Sequence, residues 1–248
     1  MKNSALYCAD PTKIAEAKKL AASLKLDLLT APPFPATILA LTAQRLELRN
    51  SRESSPIFVD FNSPKLLYRL AHTSIKKEAI ARAMGLKKTK PLVLDATAGF
   101  GRDSFILAAL GCRVIMVERS PIIAALLADG LRRALVTSQI APICQRMTLY
   151  HAESKFFQLK SRLEPEAIYL DPMYPARSKN ALVKKEMRCL QNIAGNDSDS
   201  DTLLNWALSR EVKRVVVKRP KGAKHLADQQ PSFIIKSRKH RFDVYLIS

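Results

Sequence analysis

Four acids follow apolar, β-branched runs in this chain: Asp95 in PLVLDA, Glu118 in CRVIMVE, Glu153 in MTLYHAES and Asp171 in AIYLD. An acid that closes a strand of an open parallel sheet lies at the carboxyl edge, where such sheets bind ligands. Asp95 is followed by TAGFG and then Arg102, Asp103 and Ser104. Gly99 and Gly101, two of only seven glycines in the chain, predict a tight loop whose backbone amides approach a ligand closely. A dinucleotide fold would carry G-x-G-x-x-G, but Ser104 takes the place of the third glycine. Asp95 just before the loop would repel a pyrophosphate and suits a cationic or neutral ligand. Glu118, 17 residues past Gly101, is placed to accept hydrogen bonds from both hydroxyls of a ribose. A ribose, no phosphate and a positive charge describe S-adenosylmethionine, which these residues favour over a nicotinamide. Glu153 and Ser154, at the end of the third strand, are candidates for the adenine edge.

The stretch YLDPMYPARSK (169 to 179) supplies a second kind of chemistry. The exocyclic amine of a base is a poor nucleophile, because its lone pair is delocalised into the ring. Acceptors held on its hydrogens favour the pyramidal geometry needed for attack on a methyl group. Asp171 provides a carboxylate, Pro172 cannot donate and leaves the turn's carbonyls free as acceptors, and Tyr174 offers a ring face for stacking.

Strands and helices must alternate to place these residues along one edge. Apolar runs at 91–96, 112–118, 147–152, 167–171 and 214–218 alternate with helical text at 75–84, 103–110 and 120–136 and up to Leu208, as a parallel sheet covered on both faces requires. FIIKS and FDVYLIS, separated by a short basic turn, predict a terminal antiparallel hairpin. Before residue 65 the text is mixed: a helix from Pro11 to Leu24 and the strand-like ATILALT, RLELR and IFVDF. The expected fold is therefore α/β and Rossmann-like. A small N-terminal α+β extension over 1–65 precedes an S-adenosylmethionine-dependent domain over 66–248.

Charge points to the partner. With 41 Lys and Arg against 22 Asp and Glu, the chain carries +19, and a polyanion such as nucleic acid makes use of that surplus. It is concentrated in 210–248, with eleven basic residues and three acids, and in 176–190, with five and one. Lys184, Lys185, Arg188, Lys218 and Arg219 are the candidate phosphate contacts. The four cysteines are far apart, form no C-x-x-C pair and suggest neither a metal site nor a disulfide framework. No stretch approaches the roughly 20 apolar residues of a membrane span, and the start lacks the apolar core of a signal peptide. The expectation is a cytoplasmic protein without membrane contact.

The segments IFVDF, DATAGFGRDSF, GCRVIMVER, AALLADGL, YLDPMYP, ALVKKEMR, RVVVKRP and HRFDVY together resemble the bacterial methyltransferases that modify guanine N2 near the 3′ end of 16S ribosomal RNA. The resemblance covers nearly the whole chain. It implies a Rossmann-like class I methyltransferase with cofactor contacts at Arg102 and Asp103, Glu118 and Arg119, Glu153 and Ser154, and Asp171. It also implies 16S ribosomal RNA or the small subunit as partner. Two other readings of the residues stay open: an adenine-N6 methyltransferase, since the amine pocket does not name the base, and a non-catalytic RNA-binding assembly factor.

Overall fold

The computed structural model describes residues 5–50, 55–87, 90–158, 164–172 and 199–247. Its principal sheet has seven strands: β5 (Leu92–Asp95), β6 (Arg113–Glu118), β7 (Met147–His151), β8 (Ala167–Leu170), β9 (Arg214–Pro220), β10 (Phe233–Lys236) and β11 (His240–Leu246). They lie in the order β10-β11-β9-β8-β5-β6-β7. Strands β5 to β9 pair in parallel, while β11 runs antiparallel between β9 and β10. The expected parallel sheet and terminal hairpin are both present. Chain order reverses between β5 and β8, so the carboxyl ends of these two strands flank the crevice where such sheets take ligands.

Side chains on a strand alternate between faces, and the two hydrophobic clusters follow that parity. Val93, Val114, Met116, Tyr169 and Val216 pack on one face. Leu94, Ile115, Ile168, Leu170, Val215 and Val217 pack on the other. Helices α4 (Arg102–Ala109) and α5 (Pro121–Leu135) cover the first face, and α7 (Ser200–Leu208) covers the second. The short helix α6 (Ala141–Cys144) precedes β7. Ser120 caps α5 by accepting from the Ile123 amide, and Pro121 at the first helical position has no amide hydrogen to satisfy.

The N-terminal segment forms a second, mixed sheet, β2-β1-β3-β4. The sequence had suggested β3 (Thr37–Leu41) and β4 (Leu46–Asn50), but β1 (Ala5–Cys8) and β2 (Asp27–Leu29) are additional. Helix α1 (Ile14–Leu24) joins β1 to β2, and Lys25 ends it in the left-handed conformation usually left to glycine. IFVDF, expected as a strand, makes only an isolated bridge between Ile57 and Leu48. It crosses α5 at Gly130, where an added Cβ would lie 2.5 Å from Val59 Cγ1, and Arg133 of α5 donates to the Val59 carbonyl. Backbone contact with α5 thus replaces sheet pairing. The helix expected over 75–84 is confined to α3 (Ala79–Ala83), and a separate helix, α2 (Pro64–Ala71), precedes it. Among the described residues, no helix is long and apolar enough to cross a membrane.

Candidate active site

The loop after β5 is built around its glycines. Gly101 has φ +68°, and an added Cβ would lie 2.9 Å from Leu127 Cδ1 and 3.2 Å from Phe61 Cζ, so no larger residue fits this turn into α4. At Gly99, among the described residues, an added Cβ would find only the Thr97 carbonyl oxygen, at 4.0 Å. The Gly99 amide donates to Glu118 Oε2 at 2.9 Å, and the Ser120 amide donates to Oε1 at 2.7 Å. Glu118, at the end of β6, is thereby pinned between the loop and the start of α5. The far side of the crevice is tied in by the Asp171 amide, which donates to Thr97 Oγ1 at 2.6 Å.

A chain of charges lies beneath this loop. Lys218 Nζ of β9 donates to Asp103 Oδ2 and to Asp171 Oδ2, both at 2.8 Å. Asp103, in the first turn of α4, also accepts from the Tyr169 hydroxyl at 2.9 Å and from Arg69 Nη1 of α2 at 3.1 Å. Burial alone would raise the Asp103 carboxyl, but the charges of Lys218 and Arg69 hold it far below the usual carboxylate range. For Asp171 the balance falls the other way: desolvation raises its carboxyl despite the opposing charge of Lys218, and its side chain keeps 38% exposure. Asp95 is 2% exposed; it accepts from the Thr97 amide at 3.1 Å and from the Ser104 hydroxyl. Burial pushes its carboxyl up to about 7. Desolvation would lower the Lys218 ammonium, but Asp171 and Asp103 together hold it above its ordinary value.

The sequence-predicted residues divide into those that converge and those that do not. Asp95, Gly99, Gly101, Asp103, Glu118 and Asp171 all border the loop or its ion network. Ser154 is buried, and its hydroxyl donates to the Ala96 carbonyl at 2.6 Å, a strut under the loop. Glu153 precedes it and accepts from the Phe156 amide through its carbonyl at 3.0 Å. Arg119 pairs with Asp199 at 3.1 Å, and the same carboxylate holds Lys155 at 2.9 Å. Arg102 is exposed, its guanidinium 5.8 Å from the Phe100 ring centroid.

The two basic residues expected on an open rim are placed differently. Lys218 shares a face with Tyr169 and Asp171 by strand parity and is turned into the site, 19% exposed. Arg219, one residue on, points to the opposite face, is 4% exposed and donates to the Lys224 carbonyl at 2.8 Å. Pro172 is buried at the end of the site strand. Tyr174, Lys184, Lys185 and Arg188 lie outside the described residues. Two members of the network were missed from sequence. Tyr169 sits two residues before Asp171 on the same face, a period-two signal that was there to be read. Arg69 carries no signal, because its partners arrive only through the packing of α2.

The donor set has a definite character: a glycine loop whose Gly99 is partly exposed, a pinned carboxylate one strand away, and carboxyl groups where a dinucleotide site would have an anion cradle. It fits a cationic nucleoside cofactor and would repel a pyrophosphate. Fold and site together define a Rossmann-like S-adenosylmethionine-dependent methyltransferase. The SAM-dependent methyltransferase family model matches residues 20–247. Curated relatives named ribosomal RNA small subunit methyltransferase J include those of Nitrosococcus oceani, 47% identical over 99% of both chains, and Hahella chejuensis, 46% identical over 94% of this chain and 91% of its own. The chain belongs to the ribosomal RNA small subunit methyltransferase J family. Among solved structures, a SAM-dependent methyltransferase from Neisseria gonorrhoeae is 36% identical, with a TM-score of 0.77 over 97% of this chain and 95% of its own.

Proposed function

We propose that this enzyme transfers a methyl group from S-adenosylmethionine to the exocyclic N2 of a guanosine near the 3′ end of 16S ribosomal RNA, in the cytoplasm. On this reading residues 66–248 are the catalytic domain and 1–65 an extension packed on it. The observation that carries the proposal is the position of Asp171: its backbone is bonded to the cofactor loop through Thr97 and its carboxylate to Lys218. On this reading the acid of the Asp-Pro-Met-Tyr motif stands beside the place of methyl transfer. The names of the relatives support the ribosomal substrate.

When bound, S-adenosylmethionine supplies an electrophilic methyl carbon on a sulfonium centre. Glu118 would hold the ribose hydroxyls and the Gly99 loop the body of the cofactor. Asp171 and the turn carbonyls accept hydrogen bonds from the amine, orient its lone pair toward the methyl, and favour the positive charge that develops on nitrogen. The raised carboxyl of Asp171 suits it to take the proton that the amine sheds. Lys218, bonded to both Asp171 and Asp103, fixes the rotamer of the reacting acid.

Phosphate contacts belong one step outward from Lys218 and Arg219. Because β10 runs parallel to β9, its end at Lys236 and the turn into β11 lie at the carboxyl edge, level with Pro220. Lys221, Lys236, Arg238 and Lys239 are exposed there. Asp171→Ala should reduce methylation of small-subunit RNA by at least about 100-fold while the fold survives; unchanged turnover would sink the proposal. Mass spectrometry of the product nucleoside tests the base, and N6-methyladenosine would overturn the guanine assignment.

A further inference from the structure

Helix α2 presents an aromatic pair that the reaction chemistry does not use. It buries Leu66 against the core, while Tyr68 on its outer side is 69% exposed. One turn on, the His72 ring lies 4.2 Å from the Tyr68 ring centroid at an interplanar angle of 33°, and His72 Nδ1 is 2.8 Å from the Tyr68 carbonyl oxygen. An (i, i+4) contact of this kind holds both rings before anything binds, so little rotamer freedom is left to lose.

The pair stands in a tethered and basic setting. Arg69, next to Tyr68, donates to both oxygens of Glu78, at 3.1 and 2.9 Å, and to Asp103 at 3.1 Å. Asp103 leads through Lys218 to Asp171, so α2 is joined to the reacting end of the site by consecutive ion pairs. Thr73 donates to the Arg69 carbonyl at 2.7 Å and knits the same segment. Lys65 on the same helix and Lys76 and Lys77 shortly after it in sequence are exposed. A solvent-facing aromatic pair with exposed cations close in sequence matches single-stranded nucleic acid, in which every base offers a π face and every linkage a charge.

We infer that Tyr68 and His72 form a stacking platform for a nucleotide neighbouring the target guanosine, with Lys76 and Lys77 meeting its backbone. This rests on the RNA reading above and adds to it a second contact point, separate from the amine pocket. Nucleotides held at both points fix the direction of the strand across the site.

The test compares the full-length wild type with Tyr68→Ala, Tyr68→Phe and His72→Ala. It measures KM and kcat on protein-free small-subunit RNA and on assembled subunits, RNA affinity by filter binding, and cofactor affinity by calorimetry. Tyr68→Ala should weaken RNA affinity and raise KM at least about fivefold, with cofactor affinity unchanged, and Tyr68→Phe should restore both. RNA affinity within twofold of wild type for Tyr68→Ala overturns the platform. So does a loss seen on assembled subunits but absent on protein-free RNA, which would assign the pair to a ribosomal protein. A wild type that binds RNA without methylating it counts against the catalytic reading alone, and the filter-binding comparison still decides the platform.

Discussion

Asp95, Asp103 and Asp171 feel one another's charge yet are driven apart by their surroundings. Asp103 has two cations and a hydroxyl, and it remains charged. Asp95 has a hydroxyl and an amide but, among the described residues, no cation bonded to it, and burial raises its carboxyl to about 7 from an ordinary 3.8. The native state therefore holds the Asp95 proton more tightly than the unfolded chain does. The resulting stability is complete below about pH 4, is lost as pH rises toward 7, and stays lost above it. Asp95→Asn removes this dependence. Relative to wild type, the variant should gain up to about 4 kcal/mol of unfolding free energy between pH 4 and pH 8. Urea titrations at both pH values check this, and parallel pH profiles for the two proteins would refute it. At this scale the acids at the strand ends were legible, because a residue type and an apolar run suffice to place them. Ser154 and Arg219 were not: a side chain's partner depends on which face of the strand it occupies and on what lies above that face.

Elements show the same division. β5 to β9 and α5 could be read from continuous apolar runs and helical spacing, since burial on both faces leaves that imprint. The brief β2 carries too few residues to show a pattern, and α2 is a two-turn helix whose stability comes from Leu66 and the Arg69 ion pairs. IFVDF has the composition of a strand but pairs with β4 only at Ile57, and its Val59 packs against α5 at Gly130. Gly130→Ala should accordingly destabilise the protein by about 1–3 kcal/mol. The further change Val59→Ala should recover part of that loss in thermal unfolding; a double variant no better than the single would contradict the assigned contact.

For the whole molecule, charge decides how the substrate is met. The +19 surplus is offset inside the site, where Lys218 and Arg69 are already paired, and remains outward on the β10–β11 turn and around α2. RNA affinity should fall steeply with salt. Replacing Lys236, Arg238 and Lys239 together by alanine should lower the logarithmic salt slope by about 2. A slope equal to that of wild type would move the phosphate contacts elsewhere.

The antiparallel insertion of β11 also sets the order of assembly during synthesis. Until residues 240–246 have been made, β9 is an edge strand and β10 has no partner in the sheet. Lys218, which holds Asp171, is on that edge. A nascent chain therefore carries every acid of the site before β11 can join β9 and β10 and complete the sheet that fixes their positions.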